Sequence, residues 1–147
     1  MYFCYYEAMA FYNKIGLLVL NDDATQFLVC QKFAQNVTAE YIMPGGKNDE
    51  NNDYECLKNE IHQELNCEVD FNSLKYIATY EDVAAGRPDR TVEIKLYAGK
   101  IIGSPVPSTE IEKLHWIGSD YIENALVSPI VRHMIIPDLL VKNILKN

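Results

Sequence analysis

The chain has 147 residues, 48% of them apolar, and a formal net charge of −8. Length and apolar content suit a single domain over residues 1–147 with a proper core, and the negative balance excludes the basic face of an extended nucleic-acid surface. One small phosphorylated ligand, bound through a cation, remains compatible with that charge. No stretch reaches the roughly 18 apolar residues of a membrane span, and the first residues lack the basic start of a signal peptide. Cys4, Cys30, Cys56 and Cys67 have no metal-ligand spacing. They read as buried free thiols, which points to a reducing, cytoplasmic setting.

The aromatic opening MYFCYYEAMAFYN reads as a strand packed on a sheet, or as a homodimer contact or a wall on which a base stacks. Residues 15–20 and 27–33 predict two strands joined by a turn at Asn21-Asp22-Asp23-Ala24. Tyr41-Ile42-Met43 predicts a short strand that delivers the glycine loop Pro44-Gly45-Gly46 to a helix. Asn52 or Asp53 caps that helix, which runs to about Leu65. Two strands follow, over 68–71 and 74–80, with a turn at Asn72-Ser73. A loop over 81–90 carries Arg87 and Arg90, and a clean alternation over 91–97 predicts a further strand. Residues 99–107 read as a turn-rich connection and 114–117 as the last strand. A short helix starts at Ser119 or Asp120, and a helical region over 128–145 is interrupted near Pro137. The whole predicts an α+β sandwich with a mixed sheet.

The helix after the glycines carries the chemistry. Leu57, Ile61 and Leu65 form its buried stripe, and Glu60 and Glu64 stack one turn apart, about 100° around the axis from it. Two like charges held together repel unless a cation lies between them. Hard oxygen ligands of this kind suit Mg²⁺ or Mn²⁺. Elsewhere candidates are bland: His62, His115 and His133 lack the partners of a zinc site. Lys47, Arg87 and Arg90 read either as phosphate contacts or as solvated side chains. Glu110 and Glu112 share one face of an extended segment.

The stretch from Gly45 to Cys67 resembles the box of the Nudix (MutT-like) hydrolases, G-x5-E-x7-R-E-U-x-E-E-x-G-U with U apolar. Counted from Gly45, the spacings match at Glu60, Ile61, Glu64 and Cys67. Four positions depart: Asn51 for the first Glu, Asn59 for the Arg, Gln63 for one Glu and Asn66 for the second Gly. Losing both members of the Glu–Arg pair strands no charge, and Asn is the next-best residue for a left-handed helix cap. Gln63 keeps an oxygen ligand but removes a negative charge.

The resemblance implies an α/β/α sandwich with the mixed sheet between helices. It also implies divalent-metal-dependent hydrolysis of a nucleoside diphosphate linked to another group X, such as a nucleoside triphosphate or nucleotide sugar. Glu60 and Glu64 would be catalytic. Gly45 through its carbonyl, Glu60, Gln63, Glu64 and a downstream carboxylate, Glu112, would hold the metal. Gly46, Lys47, Arg87 and Arg90 would meet the substrate. The alternative is a Nudix-fold nucleotide-binding module with little or no hydrolysis, motivated by the four departures.

Overall fold

The computed structural model describes residues 10–33, 40–48 and 52–147. The aromatic opening up to residue 9, Cys4 and Asn51 therefore lie outside the described residues. Strands β1 (Tyr12–Leu18), β2 (Phe27–Lys32), β3 (Tyr41–Ile42) and β4 (Gly45–Lys47) precede helix α1 (Asp53–Leu65). Strands β5 (Glu68–Ala84), β6 (Arg87–Ile102) and β7 (Ile111–Ile117) follow it. A 3-10 turn at Ser119–Tyr121 and a π-helical stretch at Val131–Ile135 lead into α2 (Ile136–Val141).

The strands hydrogen-bond in the orders β4-β1-β6-β5 and β3-β2-β7. β1 runs parallel to β6, and the other pairs are antiparallel. The sheet is mixed, with α1 on one side and the C-terminal helix on the other, so the expected α+β architecture is the observed one.

Two apolar layers hold this arrangement. Ile15, Leu17 and Val19 meet Leu57, Ile61 and Leu65 of α1 in one. Leu18, Phe27 and Val29 meet Val131, Ile135 and Leu139 in the other. Because β1 and β2 are covered on both faces, they read as continuous apolar runs rather than alternations. Tyr80 of β5 donates its hydroxyl to Asp138 at 2.5 Å and ties α2 to the sheet.

The ends of α1 follow local chemistry. Asn52 accepts from Glu55 N–H through its side chain and caps the N-terminus. Asn66 closes the C-terminus in the left-handed region, at φ 54°. Its side chain adds a bond that glycine lacks, from Nδ2 to Val106 O at 2.9 Å.

Several boundaries differ from expectation. The glycine loop is strand β4, paired with β1 in the register Ile15 to Gly46 and Gly16 to Gly45. The two strands expected on either side of Asn72-Ser73 are one, β5. Its register against β6 shifts between Asp70 and Lys75. Ser73 Oγ absorbs the irregularity, donating to Asp70 O at 2.6 Å and accepting from Lys100 N–H at 2.8 Å. The loop expected over 81–90 shrinks to a turn at Gly86, where φ is 70°. β6 runs on to Ile102, into the expected connection. Near Pro137 the helix widens instead of breaking. Ile136 N–H reaches back to Val131 O, five residues away, which makes room for a proline ring that would clash with a regular turn.

Candidate active site

Glu60 and Glu64 stand one turn apart on α1, but their surroundings differ. Glu64 is 4% exposed, whereas Glu60 is partly exposed. The glycines of β4 press against both. Gly45 N–H donates to Glu64 Oε1 at 2.8 Å. A β-carbon on Gly46 would lie 2.8 Å from Glu60 Cγ and closer still to its carboxyl group. Gly45 has φ 142°, and an added β-carbon would strike Ile15 O and Gly16 Cα of β1. The glycine pair thus lets two strands and a carboxylate-bearing helix close to contact.

Burial dominates the electrostatics. It pushes the Glu64 carboxyl up to about 7, with Glu60 adding to the rise and Gly45 N–H, Lys32 and Lys14 opposing it. Burial, then Lys32, lowers the Lys14 ammonium below its usual range, while Glu64 and Glu60 draw it back. Two carboxylates and two lysines therefore form one interacting group around β4, and Lys14 and Lys32 escaped the sequence reading. Lys14 precedes the buried run of β1, beside the equally half-buried Tyr12 and Asn13, so nothing in the local sequence singles it out. Burial also raises the Cys30 thiol, and Cys30, Cys56 and Cys67 are all buried and free.

The raised Glu64 carboxyl has a consequence for metal-free protein. Between about 4.5, its ordinary value, and about 7 the folded chain holds a proton that the unfolded chain releases. Stability from this group is fully present below that window and falls as pH rises through it, by on the order of 3 kcal/mol. Urea unfolding in chelator at pH 5 and pH 8 should reveal the loss, and Glu64→Gln should flatten it. Identical pH slopes for the two proteins would contradict the burial of this carboxyl.

Beside the glycines opens a cleft of about 740 Å³ between the two sheets. Its lining combines Lys14, Lys32, Gly45, Gly46 and Glu110 with the apolar Ile42, Met43, Val92, Ile94 and Ile130. The β5–β6 turn, including Arg87, forms a further wall.

The expected residues divide around this cleft. Gly45, Gly46 and Arg87 line it, with Glu60 and Glu64 packed against the two glycines. Gln63, three residues after Glu60, is exposed at the helix rim, as is Asn59. Lys47 is exposed on β4, opposite Lys14 in the ladder. Glu112 is exposed on β7, and its neighbour Glu110 lines the cleft in its place. Arg90 stands back from it: the guanidinium covers the Phe11 ring at 4.0 Å and donates to Tyr12 Oη at 2.8 Å. His62, His115 and His133 pair with Glu68, Gln31 and Asp82 respectively. Among the described residues no group of three or more His, Cys, Asp or Glu is gathered as a metal site. The donor set present is two stacked carboxylates, which fits a cation that completes its shell with water and phosphate oxygens.

No family model and no curated protein matches the sequence. The fold does match solved structures. The chain is similar to the solution structure of the E. coli ORF135 protein at TM-score 0.70 and 17% identity, covering 93% of this chain and 94% of that one. A NUDIX hydrolase from Nitrosomonas europaea matches at TM-score 0.70 and 14% identity, over 92% and 96% of the two chains. The MutT protein from Methanosarcina mazei Go1 matches at TM-score 0.70 and 15% identity, over 90% and 94%. The fold is that of the Nudix and MutT hydrolases.

Proposed function

We propose that the protein is a divalent-metal-dependent Nudix-type pyrophosphohydrolase acting on a nucleoside diphosphate linked to another group X. The observation that carries this reading is the Glu60–Glu64 pair packed on Gly45 and Gly46, two glycines that line a cleft together with Lys14 and Lys32. A family fold alone would not support it, since function resides in the site rather than the fold.

Mg²⁺ or Mn²⁺ held by Glu60, Glu64 and the Gly45 carbonyl would neutralise the pyrophosphate and acidify a water. The chain's own groups do the rest. Lys14 and Lys32 attract phosphate oxygens from the cleft wall, with Arg87 at the β5–β6 turn as a further contact. Gly46 leaves the backbone open to close approach. Glu60, or Glu110 across the cleft, accepts the proton of the attacking water. Gln63 is no base, because an amide oxygen stays unprotonated in this range. The apolar lining of the cleft takes the nucleoside, where ring faces find cover. Three buried free thiols fit a reducing cytoplasm. No helix among the described residues is long and apolar enough to cross a membrane.

The test is a panel of nucleoside triphosphates, dinucleotides and nucleotide sugars, assayed with Mg²⁺ and with Mn²⁺ for released phosphate or nucleoside monophosphate. Turnover that needs the divalent cation supports the reading; none on any substrate with either metal removes it.

The exposure of Gln63 beside the carboxylates sustains the second reading, a nucleotide-binding module with weak or no hydrolysis. Gln63→Glu separates the two. In an enzyme the added charge should lower the Mg²⁺ concentration for half-maximal activity, by about threefold to tenfold. In a binding module the variant stays inactive. A Mg²⁺ titration of both forms decides between them, and wild-type activity indifferent to metal would remove the mechanism altogether.

A further inference from the structure

The cleft contains an anomaly that pyrophosphate chemistry does not use. Glu40 Oε2 and Ser128 Oγ are both buried, and neither has a hydrogen-bond partner among the described residues. Both residues line the cleft. Ser128 is 2% exposed.

The backbone explains why the two come together. Tyr41 N–H donates to Leu126 O at 2.7 Å, and Ser128 N–H donates to Tyr41 O at 3.0 Å. Glu40 and Ser128 thus leave adjacent pieces of chain. Ser128 O accepts from Val131 N–H and Arg132 N–H, each at 3.1 Å, which leaves the hydroxyl as the unused group. Burial raises the Glu40 carboxyl above its usual range and Arg132 only partly opposes the rise, because the Arg132 Nε is engaged elsewhere, donating to Val127 O at 2.9 Å. No ion pair joins Arg132 to Glu40. A buried polar atom left without a partner is costly, so an occupant that satisfies both accounts for the arrangement.

The chemistry of the pair selects that occupant. An ionised carboxylate only accepts hydrogen bonds, whereas a hydroxyl both donates and accepts. The cleft that both residues line is also lined by Ile42, Met43, Val92, Ile94 and Ile130, which suit a flat apolar ring. The combination calls for a ring with N–H donors on one edge. An exocyclic amino group supplies them, and an oxo group at the same place would face the carboxylate oxygen to oxygen.

We infer that Glu40 and Ser128 form a base-reading element that selects nucleotides whose base carries an exocyclic amino group over the corresponding oxo bases. The inference rests on the proposed nucleotide site but not on hydrolysis there.

Matched pairs test it: CMP against UMP, and AMP against IMP, each differing by amino for oxo. Affinities are measured calorimetrically in chelator, where binding is independent of turnover. The wild type should favour the amino member of each pair by about tenfold or more. Glu40→Gln keeps the size of the side chain but gains a donor, so the preference should vanish or reverse toward UMP and IMP. Ser128→Ala should weaken CMP and AMP several-fold without reversing the order. Ratios near one in the wild type, ratios unchanged by Glu40→Gln, or no binding of any of the four would each overturn the inference. Selective binding without hydrolysis in the metal-supplemented panel would retain it and remove the hydrolase reading. Hydrolysis without base preference would do the reverse.

Discussion

Glu64→Gln is expected to lower kcat/KM on the best substrate by a hundredfold or more, while the fold stays intact. The amide oxygen still accepts from Gly45 N–H, the contact that joins α1 to β4 at 2.8 Å. The difference is charge. Glu64 is 4% exposed, and at neutral pH burial leaves its carboxyl poised between protonated and ionised forms. A cation that binds there stabilises the ionised form and releases the proton; glutamine offers neither the charge nor the proton. Two signatures should accompany the lost activity. Mg²⁺ binding should weaken, and the proton release on Mg²⁺ addition should shrink. Stability at pH 8 should hold or rise, because the variant no longer buries an ionised group. Unchanged turnover would mean that the chemistry lies elsewhere in the cleft.

What could be read from the sequence was set by distance along the chain. α1 is a local object: its stripe Leu57, Ile61, Leu65, its Asn52 cap and its Asn66 terminus depend on neighbours within a few residues. Those features, and the stacking of Glu60 on Glu64, were legible. β4 was not, because glycines carry no strand signal; the segment is extended only since β1, some thirty residues earlier, pairs with it. β5 was split at Asn72-Ser73 for the same reason, polar residues marking a turn until β6 supplies partners for them. The cleft shows the limit most plainly. Lys14, Lys32, Glu40 and Ser128 come from four separate segments. Each alone is an ordinary polar residue, and only their meeting around one cleft gives them meaning.

Gly45→Ala is expected to be among the most destabilising single substitutions in the chain, lowering folding stability by about 2–5 kcal/mol. Two independent costs fall on one methyl group. The backbone has φ 142°, a conformation that L side chains rarely adopt. The methyl would also meet Ile15 O and would lie 2.8 Å from Gly16 Cα. Those atoms belong to β1, which is held between β4 and β6. They cannot withdraw without opening the sheet. Gly46→Ala makes the contrast. The three atoms nearest its methyl all belong to the flexible Glu60 side chain, so stability should fall less while activity falls sharply with the displaced carboxylate. Urea unfolding and the Mg²⁺ titration on both variants read the two quantities separately. If the order of the two in stability were reversed, the backbone of β4 would not be the fixed element here; the carboxylates of α1 would then hold the glycines in place, rather than the sheet.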